Sequence, residues 1–204
     1  MDTAKYTITV NDLARKFGRH AVFKNINLSV ETGRSLCITG PNGSGKSTLL
    51  RILAGLQNPT SGTVLLSSGG PIEKALWMDH IGYTGPLVNP YDELTGIENL
   101  SFVLKDGGAA QKVSSLLLQF KLDLHGNKKV KHYSSGMKQR LKIILAILND
   151  PPILFLDEAG TNLDSDGTSI LHGYLESVRT SKIIILATND ADEEKLCSGV
   201  IRLG

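Results

Sequence analysis

Cysteine is scarce in this chain: Cys37 and Cys197 are the only two in 204 residues, and neither stands in a CxxC or Cys/His cluster. That argues for a reducing compartment and against a structural metal. An excess of one charge is missing too. With 22 basic and 20 acidic residues the formal charge is +2, so the chain has no polyelectrolyte signature, and nucleic acid is not favoured as a partner. Long apolar runs are also absent. The longest, such as "IIILA" at 183–187, fall far short of the ~20 residues that cross a bilayer, so any contact with a membrane has to come through a partner. The start, MDTAKYTITV, has neither the basic nor the apolar region of a secretory signal. No internal repeat is present, and the linker-like pieces "SSGGP" (67–71) and "KDGGAA" (105–110) read as surface turns.

What is present is an ordered series of short periodic segments. "YTITV" (6–10) and "INLSV" (26–30) alternate apolar and polar residues between turn formers, as half-buried antiparallel strands do. "SLCIT" (35–39), "PILFLD" (152–157) and "KIIILAT" (182–188) are nearly continuous apolar runs, the pattern of strands buried on both faces of a parallel sheet. Cys37, between Leu36 and Ile38, is core in this reading. "KQRLKIILAILND" (138–150) spaces Leu141, Ile144, Leu145 and Leu148 along a helix that Pro151 stops. Strands alternating with helices give an α/β sheet, fronted by an antiparallel β segment, with a helical stretch near 95–135 inserted between core elements.

Chemistry concentrates at a few points. Gly40-x4-Gly45-Lys46-Ser47 matches the phosphate-binding pattern G-x-x-x-x-G-K-[ST] in full, after a buried strand and before a helix starting near Lys46. Glycines let backbone N–H groups turn in around phosphates, and the helix N-terminus adds a favourable dipole. The nucleotide-binding stretch is therefore Gly40, Pro41, Asn42, Gly43, Ser44, Gly45, Lys46, Ser47 and Thr48. Lys46 neutralises the β and γ phosphates and the Ser47 hydroxyl ligates Mg2+. Four apolar residues, 153–156, deliver Asp157 and Glu158 at the carboxyl end of a buried strand, where ligands bind in open α/β sheets. Asp157 suits a water on Mg2+, and Glu158 suits polarising the water that attacks the γ phosphate. In "HYSSGMKQRL" (132–141), Ser134 and Gly136 open the amphipathic helix, a serine cap beside accessible backbone that can receive an anion. The lysine-rich "KKVKH" (128–132) reads first as a solvated face, and otherwise as a contact for anionic lipid or acidic loops.

A phosphate loop, a serine-glycine helix start some ninety residues on, the aspartate-glutamate strand and then "NLD" (162–164) together resemble the ATP-binding cassette family of transporter ATPases, over essentially the whole chain. The resemblance implies a single nucleotide-binding domain, residues 1–204, of α/β phosphate-loop NTPase fold. Its parts would be a RecA-like core sheet, an N-terminal antiparallel β-subdomain and a helical subdomain at about 88–140. It implies two cassettes closing face to face on two ATP molecules, with Mg2+, each ATP lying between one chain's phosphate loop and the other's signature segment. By position, Ser134, Ser135 and Gly136 belong to that signature and Asp164 to the loop joining the two sites. Phe17, twenty-three residues before Gly40, takes the place of the aromatic that stacks on adenine, with Phe23 the core alternative.

The pattern departs from the family in two places. After "IGYTG" (81–85) Pro86 stands where the family has a glutamine touching Mg2+, and after the last buried strand Asn189 stands where the family has a histidine on the γ phosphate. Asparagine donates a neutral hydrogen bond and cannot carry the charge that makes such a bond about twice as strong. The expectation is normal MgATP binding with slow hydrolysis by Glu158, Lys46 and Asn189.

The resemblance implies an ATPase subunit whose partners are a second copy and a transmembrane permease, which would place the chain peripherally on the cytoplasmic face of the inner or plasma membrane. The chain closes on "VIRLG" (200–204), directly after the last expected strand, and is read as having no regulatory domain. With "YSSGMKQRL" (133–141) it is most similar to the exporter branch, and there to the haem-exporter subunit of cytochrome c maturation. The alternatives are a non-transport cassette acting on ribosomes or DNA, a hydrolysis-impaired ATP-binding module, and a small-molecule kinase.

Overall fold

The computed structural model describes residues 4–105 and 109–204. The part of the turn at 105–110 that spans 106–108, and the first three residues of the N-terminal segment, lie outside the described residues.

The opening segment forms β1 (Thr7–Phe17) and β2 (His20–Glu31), antiparallel, with β4 (Ser61–Ser67) on the other side of β1 in the order β2-β1-β4. Alternation sends Ile8 and Val10 into the core while Thr7 and Thr9 remain partly exposed, the outcome of a period of two on a half-buried strand. The register slips after Val10, where Asp12 takes a left-handed φ of 47° and the Asn27 side chain accepts from its N–H at 2.8 Å. This is a bulge that bends the strand over the second sheet.

That second sheet is five-stranded and parallel, in the order β5-β6-β7-β3-β8. It is built of β3 (Ser35–Thr39), β5 (Ile81–Thr84), β6 (Ile153–Asp157), β7 (Ile183–Ala187) and β8 (Gly199–Arg202). Every residue of β6 and β7 is buried. Their parity assigns them to two cores. Ile153, Phe155, Ile183 and Ile185 pack with the antiparallel sheet and α1 (Lys46–Leu53), whereas Leu154, Leu156, Ile184 and Leu186 pack with the helices on the other face. A strand covered on both sides has no polar face, which is why these runs are apolar throughout.

The second core holds α4 (Ser135–Ile147), α5 (Ser165–Val178) and the helices between β5 and β6, α2 (Gly96–Val103) and α3 (Ala109–Gln119). Of the four residues expected along α4, Leu141, Ile144 and Leu148 are fully buried and Leu145 is half-buried. Thr95 and Glu98 form a reciprocal capping box at the start of α2. Tyr133 anchors the chain ahead of α4 by donating its hydroxyl to the His125 carbonyl at 2.8 Å. The lysine run is a charge-paired face, Lys129 and Lys131 both reaching Glu93 at 3.2 and 3.0 Å. Cys37 is fully buried, as its neighbours in the strand require. A short α6 (Ala191–Lys195) links β7 to β8.

Candidate functional site

The parallel sheet brings three loops to one edge. Residues 40–45 follow β3, Glu158 follows β6 and Thr188–Asn189 follow β7, all at the carboxyl ends of adjacent strands. The loop after β3 closes on itself through Ser44 N–H to the Pro41 carbonyl at 3.1 Å. Glycine is required at its two ends. Gly40 has φ 143°, and a Cβ there would stand 2.1 Å from the Leu203 carbonyl oxygen; Gly45 has φ 102°, with a Cβ 2.3 Å from Val22 Cγ1. Gly45 is also the N-cap of α1, which no side chain caps. The first-turn N–H groups of α1 are thus left for an anion, with the helix dipole behind them.

Lys46 is buried, its ammonium held by the Gly40 and Pro41 carbonyls at 2.8 and 3.2 Å, so the charge is aimed into the loop before any phosphate arrives. Ser47 donates its hydroxyl to Asp157 Oδ1 at 2.8 Å, joining positions 110 residues apart. Asp157 is buried and its Oδ2 has no hydrogen-bond partner. Burial lifts the carboxyl above its ordinary range, against the lowering effect of the Ser47 bond. Two hard oxygen donors side by side, one of them an orphaned carboxylate oxygen, fit Mg2+. Among the described residues no group of three or more His, Cys, Asp or Glu could hold a metal, so Ser47 and Asp157 would share such an ion with the nucleotide.

Glu158 adopts φ 53°, with its N–H bonded to the Ala187 carbonyl at 2.8 Å. A non-glycine residue in the left-handed region persists where its surroundings fix it. Gln139, on α4, does part of that fixing by donating to the Ala159 carbonyl at 2.9 Å. Asn189 donates its amide to Asn42 Oδ1 at 2.8 Å, so the loop after β7 touches the phosphate loop directly. Two cavities share this edge. One, of about 310 Å³, is lined by the phosphate loop and Glu158; the other, of about 290 Å³, lies between Asn42, Glu158 and Asn189.

The remaining sequence-expected residues lie elsewhere. Phe17 ends β1, half-exposed, with the Arg15 guanidinium 4.4 Å over its ring. Its hairpin leads into β2, whose Val22 and Phe23 face Gly45. Phe23 is a core residue. Ser134 and Ser135 are exposed; Ser134 caps α4 by accepting from Met137 N–H at 3.2 Å, and Gly136 lies under the Asn162 carbonyl. None of the cavities at the phosphate loop includes Ser134, Ser135 or Gly136. Asp164 caps α5 through Gly167 N–H at 2.8 Å and pairs with Arg140. Pro86 and Leu87 stand exposed beyond β5, beside an apolar groove of about 570 Å³ that includes Leu87, Tyr91, Phe102 and Leu145.

Sequence reasoning missed Gln139 and Tyr83. Tyr83 lines the groove, its hydroxyl has no hydrogen-bond partner, and burial with the Asp157 charge nearby pushes it up to about 12. Both lie inside stretches read for other residues, "HYSSGMKQRL" and "IGYTG"; strand register and helix packing are what bring them to the site.

A parallel sheet with a glycine loop running from β3 into α1 defines the class as phosphate-loop NTPase. The ABC transporter family profile matches residues 23–161. The chain is 33% identical over 200 residues to the Nod factor export ATP-binding protein I of Cupriavidus metallidurans, covering 94% of this chain and 66% of that one. It is 32% identical over 208 residues to the ergothioneine transport ATP-binding protein EgtV of Helicobacter pylori, covering 98% of each. Among solved structures, an ATP-binding cassette determined as a dimer in a post-hydrolysis state with ADP and Pi superposes with a TM-score of 0.83 at 26% identity, over 96% of this chain and 94% of that one. The chain belongs to the ABC transporter family, as an ATP-binding subunit. It spans about two thirds of the length of the Nod factor relative.

Proposed function

We propose that this protein hydrolyses MgATP between two copies of itself and passes the resulting closure and reopening to a transmembrane permease. The observation that carries the reading is the division of the site. Lys46, Ser47, Asp157 and Glu158 converge at one sheet edge, while Ser134 and Ser135, exposed, and Gly136, half-buried, stand at the anion-competent N-terminus of α4 and outside those cavities. A second copy supplies what one chain does not assemble. The dimeric state of the solved relative agrees with this arrangement.

In this reading residues 1–204 act as one nucleotide-binding domain with a helical subdomain at about 88–140. Phe17 stacks on the base, and residues 40–48 hold the phosphates with Lys46 as counter-charge. Ser47 and Asp157 hold Mg2+, which when bound supplies charge neutralisation at the β and γ phosphates. Glu158 orients and deprotonates the attacking water, and Asn189 gives one neutral hydrogen bond to the γ phosphate. Asp164 belongs to the segment joining the two sites. The apolar groove beside Pro86 receives a permease segment, which places the chain on the cytoplasmic face of the membrane; among the described residues no helix is long and apolar enough to cross one. The Nod factor relative is an export protein by its name, but relatives of similar identity include sulfate/thiosulfate import proteins, so the export direction rests on the sequence pattern. A role in haem export for cytochrome c biogenesis rests on "YSSGMKQRL" alone, and none of the relatives named above carries that description.

The test is Glu158→Gln, which keeps the binding site and blocks turnover. With MgATP this variant should run as a dimer by light scattering, and adding Ser134→Arg should return it to monomer. Monomeric behaviour of Glu158→Gln with saturating MgATP, in the presence of its permease, would reject the shared site.

A further inference from the structure

The Glu193 carboxylate is buried, 4% exposed, and has no role in the chemistry described above. Its neighbours on α6 make surface ion pairs, Asp192 with Lys195 and Glu194 with Arg202. Among the described residues no lysine or arginine pairs with Glu193; the charged groups that influence it are Asp190 and His172. It occupies the third position of α6 after the cap Asp190, from which a glutamate commonly reaches back to the cap N–H. Here that N–H is bonded instead to Thr188 Oγ1 at 3.0 Å.

Glu193 turns across to the neighbouring loop. Its carboxylate lies against Gly160 and near the Thr188 hydroxyl, both of which favour its charged form while burial, the larger effect, disfavours it. A Cβ on Gly160 would stand 2.4 Å from Glu193 Oε1, so glycine at 160 is what lets the carboxylate reach the main chain. Thr188 directly precedes Asn189, and Gly160 follows Glu158 by two residues. All four, with Glu193, line the same cavity of about 290 Å³. A side chain that forgoes its own helix cap to lie between both loops costs more than ordinary packing would, because a carboxylate is desolvated to reach that position.

We propose that Glu193 is a positioning residue that ties the loop carrying Glu158 to the loop carrying Asn189, fixing the spacing of the two sides of the γ-phosphate chamber. This rests on the ATP-hydrolysis reading above. It separates two roles: the phosphate loop sets how tightly nucleotide binds, and the tie sets how fast the bound nucleotide reacts.

The experiment compares the full-length wild-type chain with Glu193→Ala, Glu193→Gln, Gly160→Ala and the Gly160→Ala/Glu193→Ala double variant. It measures single-turnover hydrolysis of MgATP and affinity for a ribose-labelled fluorescent ATP. Glu193→Ala should slow turnover about tenfold or more with affinity changed less than about threefold, and Glu193→Gln, whose amide oxygen can still accept a bond, should recover part of the rate. Gly160→Ala should reproduce the loss by pushing the carboxylate away, and the double variant should be no slower than Glu193→Ala, because both act on one contact. Turnover within about twofold of wild type in Glu193→Gln and Gly160→Ala together with an unimpaired Glu193→Ala overturns the tie, as does an equal loss of affinity and rate without recovery in Glu193→Gln. If Glu193→Ala does not fold, wild-type rates in both Glu193→Gln and Gly160→Ala overturn it, and a loss of rate at constant affinity in Gly160→Ala supports it. A wild-type chain that neither binds nor hydrolyses ATP refutes the functional reading itself, a result distinct from any of these.

Discussion

Asp157→Asn should stabilise the metal-free, nucleotide-free protein at neutral pH while removing its response to Mg2+. The side chain is buried, one oxygen accepts from Ser47 at 2.8 Å and the other accepts from nothing. The amide keeps an oxygen for Ser47 and removes a charge that burial disfavours. The amide N–H2 that replaces Oδ2 is also a buried group without an assigned partner, so the gain is only the extra desolvation of a charged acceptor over a neutral group, about 1 kcal/mol. A gain of that size in a chain of this length corresponds to roughly 2–4 °C in melting temperature. The attraction of Arg51 and Lys46 for the carboxylate opposes the gain but ranks below burial among the causes, and the net shift of the carboxyl is upward. A carboxyl whose folded pKa exceeds its unfolded one favours folding while protonated, below the unfolded pKa, and loses that contribution as pH rises through the folded pKa. The advantage of the variant should therefore be largest above the folded pKa of Asp157 and shrink on acidification. The assay is thermal unfolding by circular dichroism in chelator, at several pH values, with and without Mg2+ and ADP. Wild type should gain more from the Mg2+–nucleotide pair than from nucleotide alone, and the variant should gain equally from both. A variant that melts below wild type at neutral pH without metal, or an advantage that widens on acidification, would refute the reasoning.

Two further outcomes bear on the bound nucleotide. Asn189→His should raise steady-state ATPase about tenfold to hundredfold if a charged contact worth roughly 1.5–3 kcal/mol is restored in the transition state, and an unchanged rate would show that Asn189 does not limit turnover. Phe17→Ala should weaken ATP binding by about 1–3 kcal/mol, measured with a fluorescent analogue, while Phe17→Trp keeps it; equal affinity in all three would remove the ring from the base site.

Different parts of this molecule were legible in the sequence to different degrees, for physical reasons. The stretch 40–48 is continuous, so the glycines that need left-handed φ, the lysine they surround and the helix start appear together in one string. Asp157 lies 110 residues from Ser47, yet an unbroken apolar strand announces that whatever ends it emerges at the sheet edge. The contact of Asn42 with Asn189 spans 147 residues between two loop asparagines, and nothing in either neighbourhood pairs them. The helical stretch was legible as helical but not in its parts. α2 has eight residues and is set by a capping box, and the chain then reaches α4 through short 3-10 turns held by Tyr133 rather than by any periodic pattern. β4, β5 and β8 lacked a readable signal because they are short or sit at sheet edges, where one face or one side need not be apolar.

The site's charge arrangement bears on the proposal that a second copy completes the site. Asp157, Glu158 and Glu193 bring carboxylates to the sheet edge proposed to hold the phosphates, and burial lifts both Asp157 and Glu193 above their ordinary range. Lys46 is the buried cation of the phosphate loop, already satisfied by two carbonyls. The first-turn N–H groups of α1 add partial positive charge but reach only the phosphates beside them. In the proposed reading, a γ phosphate at the open edge meets Glu158 as well as Lys46 on its own chain, and donors from a second copy would complete its shell. An exposed serine cap at a second helix N-terminus provides such donors without burying another full charge, which would cost several kcal/mol more. On the proposed reading, closure of a second copy over the phosphate is the inexpensive way to complete the shell, and loss of that phosphate would leave opposed acidic edges with little to hold them together.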